Sequence, residues 1–407
     1  MSILPSSREL GRKGLRALYE EKYKSYFKTT LISLFIQINF DFNDFIMIQN
    51  LVQNTAASFL EPTTFAPYQY GRSILQYQGG SLDLKAIDMA IFSWGNAEHY
   101  QGIRNALYQL SSNSNPNKIV DLGVVDQNLV PLVELIDLLL QQNVFPIIIS
   151  ADNRAIEAQL KAYERKNELL NLALFDSKLP YSLESQPLLI NRLLKYHPQL
   201  LSHLKCIGAQ SYLMDKQAVD VLKKKYFEVH RLGKIQSRLE EIEPMVRNAD
   251  LTAFSLASIR AADAPAQVYK NPNGLLAAEA CKIMRYITMS DQLSSLCIHS
   301  FDSKASDQAQ TANMIAQLIW FAVEGFFART QELPLDKKEL RAYIVDNKTL
   351  GVPIAFYKSP KSDRWWFEIP KVIDSKPQLW ACSYRDYQIA CDGDLPDRIL
   401  NAINRLT

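Results

Sequence analysis

Residues 147–155 read IIISADNRA. Three consecutive isoleucines, Ile147, Ile148 and Ile149, describe a strand buried on both faces, since a strand with one wet face alternates apolar and polar residues. The run then stops in Ser150, Ala151, Asp152, Asn153 and Arg154. In an open α/β sheet, binding and chemistry sit just past the carboxyl ends of the strands. This strand end therefore marks where a site belongs. It offers no nucleophile–base pair, no glycine-rich phosphate loop and no histidine.

The surrounding sequence repeats the same kind of strand. MAIFSW (89–94), KIVDLG (118–123), VFPIIIS (144–150), LALFD (172–176), LKCIGA (204–209), YFEVHRL (226–232), LTAFSLA (251–257) and LCIHSF (296–301) are short runs, most of them rich in Ile, Val, Leu and Phe. Helical periodicity fills several of the gaps: 129–142, 185–204, 215–225, 274–289 and 312–329. Strands alternating with helices predict a three-layer, doubly wound, mostly parallel sheet with helices on both faces. After residue 335 the rhythm changes. LRAYIV, PIAFYK, RWWFEIP and LWACSY are short strands separated by turn signals such as SPKSD (359–363), and LPDRILNAINRL (395–406) closes the chain as a helix. This predicts a small antiparallel appendage. The expected organisation is a helical N-terminal extension over 1–45, an α/β domain over 46–334 and the appendage over 335–407.

The chain has 407 residues, is 47% hydrophobic and carries a formal charge of +2. It can bury a large core, and its charge gives no argument for nucleic acid or an anionic membrane. The one tight basic run, Lys223, Lys224 and Lys225, reads as a solvated helix end. Five cysteines, Cys206, Cys281, Cys297, Cys382 and Cys391, form no CxxC pair, so they read as buried thiols of a reducing compartment. The longest apolar candidate, LISLFIQINF (31–40), is too short to span a bilayer and contains Gln37 and Asn39. A cytoplasmic protein is expected.

Familiar catalytic motifs are missing. There is no GxSxG, P-loop or GxGxxG. Ser93, Glu98 and His99 lie too close in sequence for a triad. His197 and His203 are six residues apart, which is not a same-face helical pair. No catalytic residue is assigned.

The order of strand ends resembles the arginase/formimidoylglutamase (ureohydrolase) family over roughly residues 85–330. Family members carry GGDHS, DAHxD and SxDxDxxDP…APG segments, then ExNPxxD…T before a long helix. This chain has SADNR (150–154), DSKLP (176–180), AFSLASIRAADAPA (253–266) followed by GLLAAEACKIM, and HSFDSKASDQAQTANMIAQLIW (299–320). The C-terminal FYKSPKSDRWWFEIP also looks like a tail carried by some bacterial formimidoylglutamases. The resemblance implies a hydrolase of linear amidines using two manganese ions held by two histidines and four aspartates. The ligand positions differ. The first histidine falls on Asn153. Asp176 is kept, but the next two ligands become Lys178 and Pro180. The two aspartates of SxDxD become Ser255 and Ala257, and the substrate-contacting glutamate falls near Ser300 or Phe301. About one ligand of six survives. Proline and alanine offer no donor, and an ammonium repels a cation.

The resemblance therefore implies a vestigial pocket built from Asp152, Asn153, Asp176, Lys178, Ser255 and His299. It implies no metal and no cofactor, and a pseudoenzyme acting as a scaffold, interaction or ligand-sensing protein. The alternative is an active manganese-dependent amidinohydrolase with a rearranged ligand set such as His299, Asp302, Asp176 and Asp152. Lys178 is expected to replace the lost cations, its amine within about 4 Å of Asp176 or Asp152. In a strand over 364–369, Trp365 and Trp366 must point to opposite faces. One enters the core of the appendage; the main domain, the N-terminal arm or another chain covers the other. Arg364, Trp365 and Trp366 are thus the candidate interaction residues for a protein partner or self-association.

Overall fold

The structure is a computed structural model, and it describes residues 48–53, 61–95, 97–112, 118–164, 168–181, 188–302, 304–305, 307–333, 335–347, 349–369 and 378–406. The expected helical extension over 1–45 lies outside the described residues. All that follows concerns the unit formed by Leu51–Gln78 and Leu84–Thr407.

Among the described residues, ten strands make the main sheet: β1 (Val52–Gln53), β2 (Leu75–Gln76), β3 (Met89–Trp94), β4 (Ile119–Val125), β5 (Phe145–Ser150), β6 (Leu170–Phe175), β7 (Leu201–Ala209), β8 (Glu228–Arg231), β9 (Leu251–Ser255) and β10 (Ser295–His299). Their order is β1-β4-β3-β5-β10-β9-β6-β7-β8, with β2 also on β4. β1 runs antiparallel to β4 and the other nine strands are parallel. All eight anticipated strands are present. β1 and β2 were not anticipated, being two residues each.

Alternation along β5 shows how the layers form. Ile147 and Ile149 join a core cluster with Ile283, Ile287, Ile315 and Ile319, from helices Ala277–Thr288 and Gln308–Phe327. Ile148 is fully buried too, but its side chain points to the opposite face. Helices Leu129–Gln141 and Ala155–Glu164 pack on one another. The first buries Leu132, Leu135, Ile136 and Leu139, the i, i+3, i+4, i+7 stripe of an amphipathic helix.

Between residues 185 and 204 the structure corrects the expected helix. Among the described residues there, only Leu189–Leu194 is helical, and β7 already begins at Leu201. Pro198 has no N–H to continue a helix, and the stretch after it is claimed by the sheet.

The appendage is a second sheet, β11 (Arg341–Asn347), β12 (Val352–Lys358), β13 (Trp365–Glu368) and β14 (Leu379–Cys382), antiparallel throughout. Helices Tyr384–Cys391 and Asp397–Leu406 follow. Trp365 and Trp366 do point to opposite faces. Trp365 lies in the appendage core, stacked on Tyr387 at 5.0 Å and tilted against Tyr343 at 5.1 Å. Trp366 is 3% exposed and lies under the guanidinium of Arg247, 4.8 Å from its ring centre. Arg364 is buried as well, paired with Glu243 at 3.1 Å and donating to Met289 O at 3.0 Å. The contact surface expected at Arg364, Trp365 and Trp366 is therefore internal. It joins the appendage to the α/β layers, and the covering group is the chain's own Arg247. Among the described residues no helix is long and apolar enough to cross a membrane.

Candidate functional site

The sheet order brings four strand ends together, β5, β10, β9 and β6. Register aligns Ile149 with Ile298, His299 with Ser255, and Phe254 with Phe175. Ser150, His299, Ser255 and Asp176 therefore form one row across the carboxyl edge. The first three are fully buried and Asp176 is 8% exposed.

These groups bind one another. The Ser255 side chain neighbours Asp176 and works against the rise that burial imposes on its carboxyl. Ser255 Oγ donates to Ser300 Oγ at 3.2 Å, and Ser300 Oγ lies 2.9 Å from His299 Nδ1. Asp176 accepts the Lys178 backbone N–H at 3.1 Å. Burial raises the Asp176 carboxyl to about 6 and lowers the His299 imidazole to about 4. His299 Nε2 is buried and has no hydrogen-bond partner among the described residues. An unpaired buried polar atom of this kind costs about 1–3 kcal/mol.

The loop after β5 is also tied up. Ser150 Oγ bridges Asp152 N and O. Asp152 pairs with Arg154 at 2.6 Å and accepts its backbone N–H at 2.8 Å. The Asn153 side-chain oxygen accepts from Arg192 at 2.6 Å. Tyr100 Oη accepts from Ala151 N at 3.1 Å and donates to Trp94 O at 2.8 Å.

One expectation is corrected. Lys178 makes no ion pair with Asp176 or Asp152. Its ammonium sits 3.7 Å from the ring centre of Tyr269. Asp176 is satisfied by the backbone of its own loop, and the aromatic face offers the lysine a partner without burying a second charge. Asp302 accepts the Lys304 N–H at 3.0 Å.

The donor set does not fit a dimetal centre. Among the described residues, no three His, Cys, Asp or Glu side chains come together to hold a metal. The loop after Asp176 carries Lys178 and Pro180, and the end of β9 and the turn after it carry Ser255, a hydroxyl, and Ala257, a methyl. Nor is Ser300 an activated nucleophile. It lies beside His299 with φ of 70°, but its oxygen is held from both sides, and burial makes His299 a weak base. The partners missed from sequence, Tyr100, Arg192, Tyr269 and Ser300 as a link, are mostly remote in the chain. No local signal announces them.

The α/β portion has the fold of formimidoylglutamase and arginase. Formimidoylglutamase from Bacillus subtilis superposes with a TM-score of 0.56 at 17% identity, over 64% of this chain and 92% of that one. A Trypanosoma cruzi formiminoglutamase with Mn2+ gives 0.54 at 15% identity, over 61% and 97%. Arginase from Bacillus subtilis gives 0.50 at 16%, over 58% and 98%. No family model matches the chain, and no curated protein matches it by sequence.

Proposed function

We propose that this chain is a ureohydrolase-type scaffold whose dimetal centre has been replaced by an internal hydrogen-bond network. It acts as an interaction or ligand-sensing protein and does not hydrolyse amidines. The observation that carries this reading is the row Asp176, Ser255, Ser300 and His299, in which Ser300 bonds both Ser255 and His299 and Asp176 accepts from its own loop, where ligands would have to point at cations. Asp152 and Asn153 support it, since each is engaged by an arginine. In this reading residues 46–334 form the scaffold and 335–407 an appendage fixed to it. The alternative, an active manganese amidinohydrolase, has fold likeness in its favour but would require this row to be rebuilt.

Thermal unfolding with millimolar Mn2+, against Mg2+ as control, separates the two. A ligand that binds only the folded state raises stability by roughly 4 kcal/mol at a thousandfold excess over Kd. No manganese-specific shift is expected. A saturable upward shift of several degrees with Mn2+, accompanied by hydrolysis of arginine or formimidoylglutamate, would overturn the proposal.

A further inference from the structure

Strand β8 ends the main sheet. Among the described residues it pairs only with β7, so one row of its backbone donors and acceptors is unspent. That side opens on a groove of about 1020 Å³. Five successive residues, Tyr226 to His230, line it. Successive strand side chains point to opposite faces. Glu228, Val229 and His230 of that run are successive β8 residues, so the strand presents its edge to the groove.

The opposite wall is the helix Asp397–Leu406, through Asp397, Leu400, Asn401 and Asn404. This is the i, i+3, i+4, i+7 face of a helix. Leu400 is 41% exposed there, and the two asparagines carry both amide donors and acceptors. Ion pairs hold the walls at fixed spacing: Lys234 to Asp397 at 2.9 Å and Arg398 to Glu241 at 2.7 Å. The groove is thus a product of the C-terminal appendage meeting the sheet edge.

Its charges are unevenly spent. Glu228, Glu241, Asp386 and Asp397 are each in an ion pair. Lys223, Arg238 and Arg385 also line the groove and take part in no ion pair among the described residues, against a single such carboxylate, Asp394.

We propose that this groove receives an extended, acidic segment of a partner polypeptide, which adds to the sheet as a strand alongside β8. Backbone pairing supplies the attachment, and the three free cations select acidic side chains. At roughly 3.3 Å per residue, β8 offers about 13 Å of edge, enough for four or five partner residues. The site shares no residue with the row at Asp176 and His299, so it stands or falls separately from the metal-free reading.

The test uses the full chain and a fluorescent, capped peptide of about five alternating glutamates and valines, followed by anisotropy. Saturable, salt-sensitive binding is expected. The double variant Arg238→Glu with Arg385→Glu should weaken it at least about tenfold. Both residues are exposed and unpaired, so the fold, checked by circular dichroism, should persist. The same peptide N-methylated at alternate amides should also bind at least about tenfold more weakly, because it cannot complete the ladder. Absence of saturable binding would overturn the proposal. Equal binding of the methylated peptide would show charge attraction without strand addition, and equal binding by the double variant would place the peptide elsewhere; either result also overturns it.

Discussion

His299 and Asp176 stand in one buried row, and burial moves their titrations past each other in pH. Unfolded, an aspartate titrates near about 3.9 and a histidine near about 6.5. Folded, Asp176 rises to about 6 and His299 falls to about 4. Between pH 4 and 6 the folded state holds more protons at Asp176, so its contribution to stability falls as pH rises. At His299 the unfolded state holds more protons between pH 4 and 6.5, so that contribution grows as pH rises. Each term amounts to roughly 3 kcal/mol over its window, and the two oppose. We expect Asp176→Asn to expose the histidine's slope, with stability increasing from pH 4 to 6.5. His299→Gln should expose the opposite slope, with stability falling from pH 4 to 6. Urea denaturation across this range reads both; parallel profiles for the two variants would contradict the opposite burial shifts. Lys178 makes a second prediction at this scale. Because its ammonium rests on the exposed Tyr269 ring rather than on a buried carboxylate, Lys178→Ala should cost only about 0.5–1 kcal/mol. A loss of 3 kcal/mol or more in the same denaturation would indicate a buried ion pair after all.

The element that most changes the sequence reading is β13. Its tryptophans alternate as any strand requires, but only the fold reveals that Arg247 covers Trp366. Arg247 ends the helix Ile242–Val246, donates to Trp365 O at 2.6 Å and pairs with Glu243. Removing it leaves Glu243 buried with one cation fewer, so Arg247→Ala should destabilise the protein by roughly 3–5 kcal/mol. Near-UV circular dichroism of the tryptophans during denaturation checks this; an unchanged midpoint would mean that the appendage is held by other contacts. The strands themselves were legible, because each is a short β-rich run bounded by turn residues. The helix Tyr384–Cys391 was not read. Its signal is present, since Ser383 and Asp386 form a capping box, but the apolar LWACSY run before it hid the boundary. In sequence, Asp121 lies within the apolar strand run KIVDLG. Its partners, Arg104 at 2.9 Å and Tyr108 at 2.6 Å, sit one turn apart on helix Ala97–Gln109. A buried carboxylate in β4 and the helix face that satisfies it are separated by chain that carries no hint of the pairing.

For the whole molecule, the strands and the parallel α/β layering were readable from periodicity and turn signals, but the strand order was not, because it depends on contacts between strands far apart in the chain. The central row was readable only in part. Substitution at Asn153, Lys178, Pro180, Ser255 and Ala257 argued against ligands, but which groups satisfy Asp176 and His299 depends on register between strands that lie far apart in sequence. The fold likeness to formimidoylglutamase at 17% identity leaves the chemistry open. What decides it is whether the row at the carboxyl edge turns inward or toward cations. Elemental analysis of the full chain after saturation with Mn2+ and removal of free metal tests this most directly. The internal network predicts well under one manganese ion per chain. Two tightly held ions per chain would contradict it.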